Sequence, residues 1–218
     1  MADQLYLSLW FPNFRLDALP ATMVSVMRQF ALISKDPRVA SATTYPISFN
    51  EAPSYQRTYV LDDRSEETTD ALIENAVAEA TEQLHDDTAY EFEMRWKLWA
   101  PDTSANQVTE SAALDTIWKP QPSTVRFLGF GPEFDDATFE QNGHIRIDFG
   151  LDTPWLAETL EDEQLDEEAA KHIQQNVEML LAFTLSVEKN CGISSRLLWT
   201  ESGEPLAQKL IDRLQRVN

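Results

Sequence analysis

Residues 90–99 alternate without a break: Tyr90, Phe92, Met94, Trp96 and Leu98 fall on one side, Glu91, Glu93, Arg95 and Lys97 on the other. A period of two is that of a strand with one buried and one wet face. Residues 5–11 (Leu-Tyr-Leu-Ser-Leu-Trp-Phe) are short, apolar and aromatic and suit a buried strand, which Pro12 and Asn13 end. After Pro20, a favoured first helical residue, Met23, Met27, Phe30 and Ile33 recur every three to four positions as one helical stripe, and Lys35-Asp36-Pro37 stops it. Residues 39–49 and 55–61 are rich in Thr, Tyr, Val and Ile, with a Pro- and Asn-containing connection between them, and predict an antiparallel pair. Thr68 or Thr69 can cap a second helix, on which Leu72, Ile73, Ala76, Val77, Ala80 and Leu84 share a face and Glu74, Glu79 and Glu82 point away.

In order, residues 1–100 spell βαββαβ, the split-βαβ or ferredoxin-like pattern, which places helices on one face of an antiparallel sheet. Residues 101–123 have the composition of a linker, although Leu114-Asp-Thr-Ile-Trp118 could add a short strand. Residues 124–218 read ββαβα: strands at 124–130 and 144–151, a long helix carrying Ala169, Ile173, Val177, Leu180, Leu181, Thr184 and Val187 inward and closed by Gly192, a strand at 195–200, and a final helix from Pro205. The expected class is α+β, with the second unit able to extend the sheet of the first.

Charge changes the picture more than composition does. Six Trp and eleven Phe among 218 residues provide core anchors, so the chain folds despite 37 carboxylates against 17 Lys and Arg and a formal charge of −20. That surplus repels nucleic-acid phosphates and anionic lipid, and it either serves solubility or adaptation to salt or attracts cations and basic proteins. A single cysteine, Cys191, excludes an intrachain disulfide and a Cys-rich zinc site. No apolar run reaches the ~20 residues of a membrane helix, and no basic segment precedes the apolar start at Leu5, so a cytoplasmic location is the expectation.

The densest charge lies at 158–168, where seven of eleven residues are acidic. Asp166 can cap the helix behind it, and Glu167 and Glu168 suit a first turn, where the helix dipole favours negative charge. The stretch lacks the glycine and the alternating ligands of a calcium loop. Glu158, Glu161, Asp162 and Glu163, with Asp135 and Asp136 of the acidic loop ahead of Gly143, are instead candidates for docking a basic partner. The alternation in Gly143-His-Ile-Arg-Ile-Asp148 sends His144, Arg146 and Asp148 to one strand face, where they could act as base, anion clamp and orienting carboxylate; these are the candidate catalytic or ligand-binding residues. His85 reads as a helix end and His172 has no partner at zinc-helix spacing, so no metal site is expected. Gly129-Phe-Gly131 lacks the further glycine of a dinucleotide loop, and no nucleophile elbow or phosphate loop occurs, so no cofactor is expected. The sequence points first to a non-catalytic acidic protein that binds a basic one, as an inhibitor or immunity protein does, and second to a small-molecule site on the His144, Arg146, Asp148 face.

Overall fold

A computed structural model of the chain describes residues 3–59, 69–102, 117–136, 138–156 and 167–202. Among the described residues seven strands form one antiparallel sheet: β1 (Gln4–Trp10), β2 (Val39–Pro46), β3 (Tyr55–Thr58), β4 (Thr88–Pro101), β5 (Trp118–Phe130), β6 (Ile145–Leu151) and β7 (Ser195–Thr200), in the order β3-β2-β4-β5-β6-β1-β7. The helices are α1 (Leu19–Ser34, entered through a 3-10 turn at Leu16–Ala18), α2 (Thr69–Ala80), α3 (Thr138–Asn142), α4 (Thr153–Leu156) and α5 (Glu167–Asn190). The fold is therefore α+β.

Periodicity and core agree closely. Tyr90, Phe92, Met94, Trp96 and Leu98 of β4 are at most 2 % exposed and face Met23, Val26, Met27 and Phe30 of α1 together with Leu180, Phe183 and Val187 of α5 in one cluster. Helix α1 lies between α2 and α5. Leu16–Ser34 has the length and composition of a membrane-crossing segment, which the reading of apolar runs missed. Here it is the core helix, with Leu19, Met23, Val26, Met27 and Phe30 fully enclosed. On α5, Leu181 faces outward and Phe183 takes its place in the core, because the buried positions 173, 176, 177, 180, 183, 184 and 187 recur every three to four residues and position 181 falls beside that stripe.

The strand order departs from the ferredoxin-like expectation. The element sequence βαββαβ is present, but β1 does not enter the sheet beside the other three strands of residues 1–100; β5 and β6 separate it from β4. What remains is a split unit at each flank: β3–α2–β4 straddles β2, and β6–α5–β7 straddles β1. Helix α1 joins the two straddled strands across the middle of the sheet.

The expected linker is also corrected in part. Trp118–Ser123 belong to β5 and pair with residues 96–101 of β4, and β1 of the first proposed unit lies between β6 and β7 of the second, so both units share one sheet. Pro101, Pro120 and Pro122 led the composition to read as a loop, since proline removes a ladder donor. Their pairing partners Trp118, Trp99 and Lys97 keep the ladder in register to its end. Residues 103–116, the expected final helix from Pro205 and Glu158, Glu161, Asp162, Glu163 and Asp166 lie outside the described residues.

Candidate functional site

Among the described residues the helices that touch the core do so from one side, and no helix covers the other side of the sheet. Strand register organises that helix-free face into two rows that cross all seven strands. The first runs Thr58, Ser41, Glu93, Arg126, Asp148, Tyr6, Trp199. Directly beside it runs Gln56, Thr43, Glu91, Leu128, Arg146, Ser8, Leu197. Cross-strand neighbours on one face lie about 5 Å apart, so residues of opposite charge in a row can meet.

In the first row they do. Ser41 Oγ donates to Glu93 at 2.9 Å, Arg126 reaches Glu93 through Nε and Asp148 through Nη1, both at 3.4 Å, and Gln4 Nε2 donates to Asp148 Oδ1 at 2.6 Å. The Gly150 amide completes the Asp148 shell at 2.8 Å. Burial works against the Arg126 charge, but Asp148, Glu91 and Glu93 outweigh it and hold its pKa above the ordinary value. At the end of the row the Tyr6 and Trp199 rings pack 4.6 Å apart, and Trp199 Nε1 donates to Ser8 Oγ at 3.0 Å.

The second row is not internally matched. The Arg146 guanidinium sits 5.2 Å from the centroids of both the Tyr6 and the Phe130 rings, and its buried Nε has no hydrogen-bond partner among the described residues. Burial depresses its pKa, while Tyr6, Asp148, Glu91 and Asp135 act in the opposite sense. Two strands away, across buried Leu128, Glu91 is half-buried and makes no hydrogen bond or ion pair among the described residues. Desolvation raises its pKa; Arg126 and Arg146 lower it and Glu93 and Asp148 raise it, so its neighbours' charges oppose one another.

Of the three residues expected to act together, two do share this face. Arg146 and Asp148 stand in adjacent rows, whereas the His144 ring is turned to the β1–α1 connection. It stacks on Phe14 at 4.3 Å, and its Nδ1 accepts the Phe11 amide at 3.0 Å. Burial lowers its pKa, so the ring serves packing and capping at the strand end. Asp135 and Asp136 are exposed and both adopt left-handed backbone, φ 47° and 52°. Their loop folds Phe134 over Phe130 and Phe49, and Asp135 thereby comes close enough to act on Arg146. The Gly129-Phe-Gly131 pair has a packing reason, since a Cβ at Gly131 would clash with the Asp86 carbonyl oxygen and one at Gly129 would stand 2.5 Å from Leu19 Cδ1. Cys191 is half-buried against Ser25 at the C-terminal end of α5, and burial raises its pKa, the opposite of an activated thiol.

Glu91, Glu93, Arg126 and Tyr6 were not singled out in the sequence, although Glu91 and Glu93 stood out as the wet face of β4. Only the strand order brings them beside Arg146 and Asp148. Among the described residues no group of His, Cys, Asp and Glu is arranged to hold a metal ion.

No protein-family model matches the chain, and no curated protein or solved structure is significantly similar to it.

The desolvation of Glu91 has a measurable consequence. A carboxyl whose folded pKa lies above its unfolded value binds protons more readily when folded, so its contribution to stability is fully present below the unfolded pKa and is lost as pH rises through the folded one. Glu91→Gln is therefore expected to be more stable than the parent at neutral pH. Below the ordinary glutamate value of 4.5 the two should converge. Urea midpoints at a series of pH values read the difference; a constant gap across the series would contradict the burial assigned to this carboxyl.

Proposed function

We propose that this chain is a non-catalytic protein-binding module that docks a basic protein on the helix-free face of its sheet, in the manner of an inhibitor or immunity protein. The observation that carries the reading is Glu91: a half-buried carboxylate, facing outward, that makes no hydrogen bond or ion pair among the described residues. Arg126 and Arg146 near it favour its charge while Glu93 and Asp148 oppose it, and neither arginine pairs with it directly. A partner that brings a cation to this position neutralises a charge already stripped of part of its water, which is more favourable than pairing a fully hydrated one. Tyr6 and Trp199 offer aromatic contact area on the same face, and the chain's −20 charge steers a basic protein toward it. Asp135 and Asp136 border the surface; Glu158, Glu161, Asp162 and Glu163 add to the steering charge by sequence alone.

The test starts from a basic protein captured by the full chain at low salt and then identified and purified. Its affinity is expected to fall steeply with ionic strength, and Glu91→Arg is expected to abolish binding at concentrations where Glu178→Lys, on the exposed side of α5, changes it about twofold or less. Equal losses from the two substitutions would mean that overall charge, and not this face, makes the contact.

A further inference from the structure

Beside Glu91 the helix-free face is recessed. A cavity of about 440 Å³ is lined by Ser41, Thr43, Tyr45, Gln56, Thr58, Glu91, Glu93, Arg95 and Arg126, from four adjacent strands at the β3 end of the sheet. Its polar groups fall into two sets. Ser41, Glu93 and Arg126 are already bonded to one another. Glu91, Thr43, Gln56 and Thr58 make no side-chain hydrogen bond among the described residues, and they stand together: Gln56, Thr43 and Glu91 are consecutive in one row, with Thr58 beside Gln56.

We infer that this cavity seats a guanidinium group, an arginine side chain of the docked partner, with Glu91 as its counter-ion. The inference rests on the docking reading above and adds the chemistry that the partner must present. Charge leaves a place for a cation, because Glu93 is hydrogen-bonded by Ser41 and Arg126, whereas Glu91 feels Arg126 only beyond bonding distance and makes no hydrogen bond or ion pair among the described residues. Arg95, exposed and four residues along β4, lies roughly 13 Å from Glu91 at the rise of a strand, so it repels a cation at the far end of the cavity without neutralising the near end.

The acceptors select a guanidinium over an ammonium. A carboxylate, two hydroxyls and an amide oxygen spread over neighbouring strands match a planar fork of five donors better than a compact point charge with three. The Tyr45 ring, packed against Phe49 at 5.3 Å and lining the same cavity, offers an aromatic surface to a planar cation. A guanidinium is also less strongly hydrated than an ammonium, which reduces the penalty of entering a recess where Glu91 is itself partly desolvated.

The experiment uses three small probes on the full chain, followed by backbone amide shifts in NMR: N-acetyl-arginine amide, its lysine counterpart, and the citrulline counterpart, which keeps the shape of arginine and has no charge. The arginine probe is expected to give saturable shifts centred on Thr43, Gln56 and Glu91, the lysine probe to bind at least about threefold more weakly, and the citrulline probe to give no saturation. Glu91→Gln, which keeps the side-chain shape, should abolish the saturable response, and Glu178→Gln should leave it intact. Indistinguishable arginine and lysine binding, a citrulline response, persistence in Glu91→Gln, or shifts scattered along α2 and α5 would each overturn the inference. Because no partner protein is present, such a failure is separate from failure of the docking surface, which the Glu91→Arg comparison reads.

Discussion

Replacing Trp96 by alanine is expected to destabilise the chain by about 3–5 kcal/mol, the range for deleting a large aromatic from a close-packed core. Trp96 is 1 % exposed and stands where three layers of rings meet: Phe30 of α1 at 5.2 Å, Phe149 of β6 at 5.5 Å and Trp155 of α4 at 5.9 Å. Phe30 in turn packs edge-on against Phe127 and Phe183, so the void would open at the junction of sheet, α1 and α5, which cannot collapse without moving all three. Trp96→Phe separates packing from polarity. The buried Trp96 Nε1 has no hydrogen-bond partner among the described residues, so phenylalanine removes an unsatisfied donor while it keeps a ring in place. Its cost should be less than half that of alanine. Urea unfolding of the two variants measures this, and equal losses would show that the pocket depends on the full indole volume.

The second large effect is expected at a polar residue. Asn176 is fully buried in α5 and clips three segments together: Oδ1 accepts the Trp99 amide at 2.9 Å, and Nδ2 donates to the Trp99 carbonyl at 2.9 Å and the Pro154 carbonyl at 2.8 Å. Its main-chain oxygen also accepts Trp155 Nε1 at 3.2 Å. Asn176→Ala leaves one backbone donor and two carbonyls without those partners, and at about 1–3 kcal/mol per buried orphan the loss should reach ~3 kcal/mol or more. Asn176→Asp is diagnostic because a carboxylate there would face two carbonyl oxygens. Its penalty should be largest at neutral pH and shrink as acid protonates the new group. If the aspartate variant matched the parent at neutral pH, the donor role assigned to Nδ2 would be wrong.

These two residues illustrate what the chain reveals locally and what it does not. Trp96 is legible because it sits in the unbroken alternation of residues 90–99, and a period of two survives any choice of neighbouring strand. The same holds for the stripe of α1, for α5 up to the exchange of Leu181 with Phe183, and for the left-handed Gly192 after α5, φ 63°. Asn176 is one polar residue on a helix, and nothing nearby in sequence announces that Trp99 and Pro154 lie opposite. The two open-face rows have the same property: each takes one residue from each of seven strands, so they exist only once the strand order does. His144 failed to join Arg146 and Asp148 for a related reason. Alternation assigns a face, but the aromatic connection at Phe11 and Phe14, more than 100 residues away in the chain, captured the ring.

The position of β1 between β6 and β7 bears on how the protein is made. Synthesis must proceed from Trp10 to Ile145 before the first of these partners exists, which at ~5–20 residues per second is on the order of ten seconds. Throughout that interval a growing polypeptide trails an apolar ribbon, Leu5-Tyr-Leu-Ser-Leu-Trp-Phe11, with both hydrogen-bonding edges vacant. Shielding of that ribbon during synthesis is therefore expected to raise the yield of folded protein.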